Sequence, residues 1–142
     1  QATFSACFGA AFLPLHPTRY ADLLGKKIKQ HQVNVWLINT GWSGGGYGVG
    51  SRMKLSYTRA MITAALNGDL DHVSYTKHPI FGIEMPDSCP NVPSELLHPR
   101  NTWEDPEAYD HMALHLAGLF RDNFSKYEDF ASPQILAGGP IG

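Results

Sequence analysis

The sequence lacks an excess of basic residues, and it lacks a long apolar run. Its 142 residues carry a formal net charge of −2 at pH 7, which gives no positive field along the chain. Nucleic-acid-binding domains usually carry a basic patch or stripe, so this charge argues against nucleic acid as the main partner. No apolar run approaches the roughly 20 residues that a membrane helix needs. We therefore predict that the protein binds neither nucleic acid nor a membrane.

Cysteine is scarce, and the two cysteines present, Cys7 and Cys89, form no CxxC pair. Widely spaced free thiols are typical of a reducing compartment, which favours a cytoplasmic location and leaves a single disulfide open. Cys7 lies among apolar residues in "FSACFGAAF". This setting favours a small buried thiol over a nucleophile, which would need a base close in space.

The first residues, "QATFSACFGAAFLPLHP", contain no initiator methionine and no charged head before an apolar run. A secretory signal peptide has such a head, so this stretch is not interpreted as one. It begins with apolar and aromatic residues, as a segment taken from within a core would. We expect the chain to be a fragment of a longer protein.

The first half of the chain has an α/β pattern. Hydrophobic residues make up 43% of the sequence and charged residues 17%, as in globular proteins. Pro17 begins an apolar pattern with 3–4 spacing, which predicts a helix ending near residues 30–32. The short β-branched run "VNVWLIN", residues 33–39, predicts a strand buried on both faces. Another helix is predicted from about Ser56 to the Asn-Gly pair at 67–68, so the class is α/β.

The second half contains one strong helical pattern. Residues 72–86 alternate in polarity and are interrupted by proline, which predicts an edge strand or extended segment. Residues 86–99 contain four prolines and predict an ordered loop. Residues 105–127 predict a helix with one apolar face, made of Tyr109, Met112, Ala113, Leu116, Phe120, Phe124 and Tyr127.

Residues 39–59, "NTGWSGGGYGVGSRMKLSYTR", form a glycine-rich connection between the predicted strand and the next helix. In α/β proteins, ligands bind at that end of a strand. Gly45 and Gly50 have the GxxxxG spacing of a phosphate-binding loop, but Ser51-Arg52 stands where Lys and then Ser or Thr are required. A GxGxxG pattern does not fit either. The spacing therefore leaves a nucleotide site open and favours a mobile surface loop.

Polar residues that could hold a nucleotide follow this loop directly. Arg52 and Lys54 are cationic, and a guanidinium can stack on a base or pair with phosphate oxygens. Thr58 stands at the predicted opening of a helix, where its hydroxyl and the positive end of the helix dipole are available. An equally good interpretation is a solvated helix start with no ligand.

No metal site is predicted. His111 and His115 have the i, i+4 spacing of a metal-binding pair, but "HMALH" lacks the glutamate of the HExxH pattern and no third ligand is obvious. Exposed histidines on an amphipathic helix are the better interpretation. His72, His78 and His98 are scattered through predicted loops and are interpreted in the same way.

Four blocks of the sequence together resemble a known enzyme family. They are "ATFSACFGAAFLPLHP", "NVWLINTGWSGG", "SRMKLSYTRAMITAALNG" and "LHPRNTW", and they occur in the family's order. They look like the C-terminal part of ATP-dependent phosphoenolpyruvate carboxykinase, and the resemblance extends from Ala2 to about Pro140. It implies that residues 1–142 are the C-terminal part of a mixed-sheet mononucleotide-binding domain.

The resemblance implies an activity for the whole enzyme. The family converts oxaloacetate and ATP into phosphoenolpyruvate, carbon dioxide and ADP in gluconeogenesis, with Mg²⁺ on the nucleotide and Mn²⁺ at the active site. Its phosphate-binding loop, metal ligands and oxaloacetate-binding arginines lie N-terminal to this segment. We therefore expect no catalytic residue and no metal ligand here, and an inactive fragment in isolation. The implied partners are oxaloacetate or phosphoenolpyruvate, ATP or ADP, and the missing N-terminal part, and a homo-oligomer is left open.

The resemblance also assigns nucleotide contacts to this segment. Arg52 is expected against the base or ribose, Met53 as an apolar wall, and Thr58 at the base edge. Many members have isoleucine where Met53 stands, and the glycine loop is longer here by a couple of residues than in familiar bacterial members. Phe12 is a weaker candidate for lining the nearby cleft. The alternatives are a non-catalytic nucleotide-binding module and a structural domain whose glycine loop binds nothing.

Overall fold

A computed structural model of the chain describes residues 3–4 and 9–142. The described chain contains helices and two small antiparallel sheets. The helices are α1 (Pro17–His31), α2 (Leu55–Asn67), α3 (Pro106–Phe124) and α4 (Pro133–Leu136), and the strands are β1 (Trp42–Ser43), β2 (Ser51–Arg52), β3 (Tyr75–Lys77) and β4 (Glu84–Pro86). Short 3₁₀ helices span Ala10–Phe12, Ser94–Leu97, Pro99–Thr102 and Ser125–Phe130. This mixture is consistent with the predicted α/β class.

The chain divides into two compact units. The first unit contains Gln1–Val35 and Gly118–Pro140, and the second contains Trp36–Ala117 and Ile141–Gly142. In the first unit, α1 begins with Pro17 at a position where proline is favoured, and Gln32 ends it in the left-handed conformation, with φ 50°. The predicted helix is therefore confirmed.

The second unit contains two small apolar clusters. In both, the most buried side chains are short, which lets the backbones of α2 and α3 come close to their neighbours. One cluster has Ala64, Leu70 and Cys89 at its centre, and the other has Ile80, Ala113 and Ala117.

Helix α2 ends where the sequence predicts. Gly68 has φ 78°, a left-handed conformation that glycine adopts without strain, and its N–H donates to the carbonyl of Ala64. The helix begins one residue earlier than predicted, at Leu55, after Lys54 in an extended conformation. Helix α3 begins after Asp105, whose Oδ1 accepts the N–H groups of Glu107 and Ala108.

The predicted strand at residues 33–39 is wrong. This segment has no assigned secondary structure and belongs to neither sheet. Three of its apolar side chains are exposed, with exposed fractions of 51% for Val33, 60% for Val35 and 82% for Leu37, whereas Trp36 is half-buried and packs against the cluster around Ala64. A β-strand forms only beside a partner, and the described chain places no partner strand along these residues.

The single extended segment predicted at residues 72–86 is a hairpin instead. Strands β3 and β4 pair antiparallel, with Thr76 opposite Met85. His78 follows β3, and its N–H donates to the carbonyl of Ile83 at 2.8 Å, which closes the turn. In the described part of the chain, no helix is long and apolar enough to cross a membrane.

Candidate functional site

The glycine-rich segment forms an ordered β-hairpin. Strand β1 pairs antiparallel with β2, so that Trp42 lies opposite Arg52 and Ser43 opposite Ser51. Beyond the strands, the N–H of Met53 donates to the carbonyl of Gly41 at 2.6 Å. The hairpin thus carries the chain from residues 33–39 to the first turn of α2.

Two glycines are required by the packing of this hairpin. Gly44 has φ 78°, and a Cβ there would lie 2.8 Å from the carbonyl oxygen of Thr102. A Cβ on Gly50 would overlap the carbonyl oxygens of Ser43 and Gly45. Real Cβ atoms do not approach backbone oxygens so closely, so larger residues would displace the chain. Close packing of the backbone therefore explains Gly44 and Gly50 without a ligand.

The hairpin is held by the 3₁₀ helix Pro99–Thr102. The Thr102 hydroxyl accepts the N–H of Gly44 at 3.0 Å and donates to the carbonyl of Pro99 at 2.7 Å. In the same 3₁₀ helix, the Arg100 guanidinium forms a fork with Asp110 of α3, with N–O distances of 2.9 Å, 3.1 Å and 2.9 Å. The hydrogen bonds from Arg100 lower the pKa of the Asp110 carboxyl. A chain of contacts therefore links the hairpin to α3.

Arg52 lies on the exposed surface of the hairpin, against an aromatic pair. Its Cζ atom is 5.7 Å from the centre of the Trp42 ring, within the range of a cation–π interaction. The Tyr47 ring meets Trp42 edge-on, with centroids 5.4 Å apart and an interplanar angle of 82°. Tyr47 is 89% exposed and Trp42 is 43% exposed. Together these three side chains form what we call the hairpin cluster.

Met53 and Thr58 lie at the entrance to α2. Met53 is half-buried and joins Arg52 to the helix. Thr58 is the fourth residue of the helix and is also half-buried, and its N–H donates to the carbonyl of Lys54 at 3.4 Å. Its N–H is therefore already used within the first turn of the helix. The Lys54 ammonium lies 5.6 Å from the centre of the Tyr57 ring.

The other predicted candidates lie elsewhere. Phe12 belongs to the first unit and is largely exposed, so its place in a cleft stays a prediction. Cys7 lies outside the described residues. Cys89 is buried, and burial, followed by the charge of Asp69, raises the pKa of its thiol.

His111 and His115 are exposed on α3. Within residues 3–4 and 9–142, no group of three or more His, Cys, Asp and Glu side chains is placed to hold a metal ion. The described segment therefore offers no ligand set to which a metal-dependent step could be assigned.

Three residues in or beside the β1–β2 hairpin were not selected as candidates from the sequence: Trp42, Tyr47 and Thr102. The Trp42 ring is half exposed and lies beside a cation. The register of a hairpin with a long glycine turn depends on the turn conformation, so the pairing of Trp42 with Arg52 had no simple sequence signal.

The chain is similar to proteins of one enzyme family. Residues 1–95 match the family model described as phosphoenolpyruvate carboxykinase. The chain is 67% identical over 141 residues to phosphoenolpyruvate carboxykinase (ATP) of Flavobacterium johnsoniae, covering 99% of this chain and 26% of that protein. For the proteins of the same name from Christiangramia forsetii and Caldanaerobacter subterraneus, identity is 61% and 57%, with 98% and 100% of this chain and 26% and 27% of those proteins covered. The chain thus spans about a quarter of the length of these curated relatives.

Proposed function

Because this chain belongs to the phosphoenolpyruvate carboxykinase family, we propose that it is part of an ATP-dependent member of that family. In this proposal it is the C-terminal part of the mononucleotide-binding domain of a cytoplasmic enzyme. That enzyme would convert oxaloacetate and ATP into phosphoenolpyruvate, carbon dioxide and ADP. The high identity to three relatives named phosphoenolpyruvate carboxykinase (ATP) supports it.

We propose that this segment contacts the adenosine end of ATP through Arg52, Met53 and Thr58. The observation that carries this is the position of Arg52: an exposed guanidinium whose Cζ atom lies 5.7 Å from the centre of the Trp42 ring, shortly before α2. A planar guanidinium can stack on a purine with its free face. Met53 would present an apolar side chain to the base, and the Thr58 hydroxyl would donate to or accept from the base edge.

The phosphate groups, oxaloacetate and divalent ions are assigned to the rest of the enzyme. In phosphoryl transfer, positioning and charge neutralisation provide most of the catalysis, and Mg²⁺ and Mn²⁺ would supply the positive charge. The described segment contains no cluster of metal ligands, and we propose no reaction step for its residues. Its part is to hold and orient the nucleotide.

The first prediction concerns Arg52→Ala in the full-length enzyme. We expect the KM for ATP to rise about tenfold, because a lost stacking contact weakens binding by about 1–2 kcal/mol. We expect the KM for oxaloacetate to change less than about twofold, since the lost contact is made only with the nucleotide. Steady-state kinetics with each substrate varied in turn measure both values.

The matched control is Lys77→Ala, which removes a positive charge from an exposed position on β3. This variant should leave both KM values unchanged within about twofold, as exposed charges away from a site usually do. If Arg52→Ala raised both KM values equally, or neither, the adenosine role of Arg52 would be wrong.

The alternative is a non-catalytic nucleotide-binding module. Measurements on the isolated chain distinguish the proposed enzyme segment from a nucleotide-binding module. Our proposal expects no oxaloacetate-dependent ATP consumption and only weak ATP binding, because it assigns the phosphate-binding loop to the rest of the enzyme. A module would bind ATP as tightly as the full-length enzyme does, which isothermal calorimetry would show.

A further inference from the structure

We propose that Trp42 is a positioning residue for the nucleotide: its indole ring holds the Arg52 guanidinium in the orientation that receives the base. The proposal rests on the adenosine role of Arg52 proposed above, and it extends the site to a residue that does not itself touch ATP. It depends on the cross-strand pairing of the hairpin and on the contacts that hold the indole in place.

The pairing of β1 with β2 determines the partner of Arg52. Trp42 and Arg52 are directly opposite each other, and paired residues on a two-stranded ribbon project to the same face. The guanidinium lies 5.7 Å from the ring centre as a result. A free arginine side chain loses rotamer entropy when it is immobilised. An arginine already resting on an indole has lost part of that freedom before ATP arrives.

Tyr47 supports the indole from the hairpin tip. Its ring meets Trp42 edge-on at 5.4 Å, a favourable aromatic geometry. The tip itself is ordered by hydrogen bonds from Val49 and Gly50 to the carbonyl of Gly46, at 3.1 Å and 2.9 Å. The indole is therefore not a loose surface side chain, although nearly half of it is exposed.

The arrangement predicts a layered stack in the complex. We expect the purine to lie on the side of the guanidinium away from the indole, so that the order in the complex is indole, guanidinium, purine. Stacking recognises a flat aromatic ring and not its hydrogen-bonding edge. The contribution of Trp42 is therefore to affinity for the purine nucleotide, with little effect on the chemical step.

The test uses the full-length enzyme with Trp42→Leu, Trp42→Phe, Arg52→Ala and the double variant Trp42→Leu/Arg52→Ala. We expect Trp42→Leu to raise the KM for ATP about fivefold, with kcat and the KM for oxaloacetate changed less than about twofold. Trp42→Phe should restore most of the affinity, because a smaller aromatic face still attracts the cation. The double variant should be no weaker than Arg52→Ala alone, since Trp42 acts through Arg52.

Controls separate positioning from general damage. Phe130→Leu removes an exposed aromatic ring from the first unit and should leave the KM for ATP unchanged. Tyr47→Ala provides a second variant should Trp42→Leu fail to fold, and it is expected to give a smaller rise of about twofold in the same KM, since an edge contact is worth about 0.5 kcal/mol.

The outcomes are distinguishable. If Arg52→Ala weakens ATP binding and Trp42→Leu does not, the positioning role is overturned while the proposed function stands. Additive effects in the double variant also overturn it, because they mean that Trp42 acts independently of Arg52. If Arg52→Ala has no effect, the proposed adenosine role fails, and this inference fails with it.

Discussion

Leu37→Asp is expected to destabilise the full-length enzyme by at least about 4 kcal/mol and to leave the isolated chain almost unchanged. Leu37 is 82% exposed here, in a segment that pairs with no strand of the described chain. Its neighbours Val33, Val35 and Ile38 are also exposed and apolar, and a surface with this composition is rarely left open to water.

The different effects of Leu37→Asp in the two proteins follow from the proposal that this chain is one part of a longer enzyme. The chain spans about a quarter of its relatives' length, so strands from the remaining part could pair with residues 33–38 and bury their side chains. A buried leucine contributes about 2–3 kcal/mol of transfer free energy, and an ionised carboxylate in its place would add a large desolvation cost. In the isolated chain, the same substitution at an exposed position should change stability by less than about 0.5 kcal/mol.

Urea unfolding of the full-length enzyme and of the isolated chain, each with and without Leu37→Asp, measures the change in the free energy of unfolding. The control is Leu37→Met, which keeps the apolar surface and should cost less than about 1.5 kcal/mol in the full-length enzyme. Hydrogen exchange supplies an independent check, because the amides of residues 35–39 should be slow only in the full-length enzyme. Equal tolerance of Leu37→Asp in both proteins would mean that this segment stays in solvent.

His78→Ala is expected to lower the free energy of unfolding of the isolated chain by about 3 kcal/mol, through lost hydrogen bonds and a cavity. His78 is buried, with its Nδ1 accepting the N–H groups of Ile80 and Phe81 at 3.1 Å and 3.2 Å. An Nδ1 that accepts two backbone donors carries no proton, so the proton is on Nε2, which donates to the Tyr109 hydroxyl at 2.8 Å. The neutral ring thus joins the β3–β4 turn to α3.

This ring also predicts a pH dependence. Burial lowers the pKa of folded His78 below its ordinary value of 6.5. As the pH falls through 6.5, the unfolded chain takes up a proton at this position and the folded chain does not. The unfolded state then binds more protons, so stability falls with falling pH, by up to about 1.4 kcal/mol per unit until the folded pKa is reached. Above 6.5, the contribution of His78 is fully present.

The matched control is His78→Asn, whose side-chain oxygen can still accept the two backbone N–H groups but does not titrate. Urea unfolding at about pH 7.5 and about pH 5, followed by tryptophan fluorescence, should show the stability difference between the unsubstituted chain and His78→Asn narrowing at the lower pH. A difference that stays constant or widens would show that the folded ring is protonated at low pH without penalty.

Local signals predicted the helices well. Helix ends are marked by Pro17, by the Asn-Gly pair at 67–68, and by Asp105 with Pro106. Each of these residues acts on the backbone within a few positions, so the local sequence is enough to predict its effect. The strand predicted at residues 33–39 failed for the opposite reason. An apolar run of that length indicates that its side chains favour burial. Whether it becomes a β-strand depends on a partner segment that is distant in sequence.

The candidate site was predicted in part. Arg52, Met53 and Thr58 were selected through the family resemblance, and the family itself is confirmed. Their contacts with a nucleotide remain predictions. The sequence did not show that Arg52 lies over Trp42, or that Thr102 holds Gly44, since these pairs meet only after the glycine turn and the 3₁₀ helix have taken their conformations.

By itself, the sequence indicated the approximate bounds of α1 and α2, because proline and glycine act over short stretches, and four sequence blocks indicated the family. Only the tertiary structure decided that the glycines form a tight hairpin, that the indole lies beside the guanidinium, and that His78 is a neutral buried link to Tyr109. The physical reason is that each of these contacts joins residues whose distance in space depends on the whole course of the backbone between them.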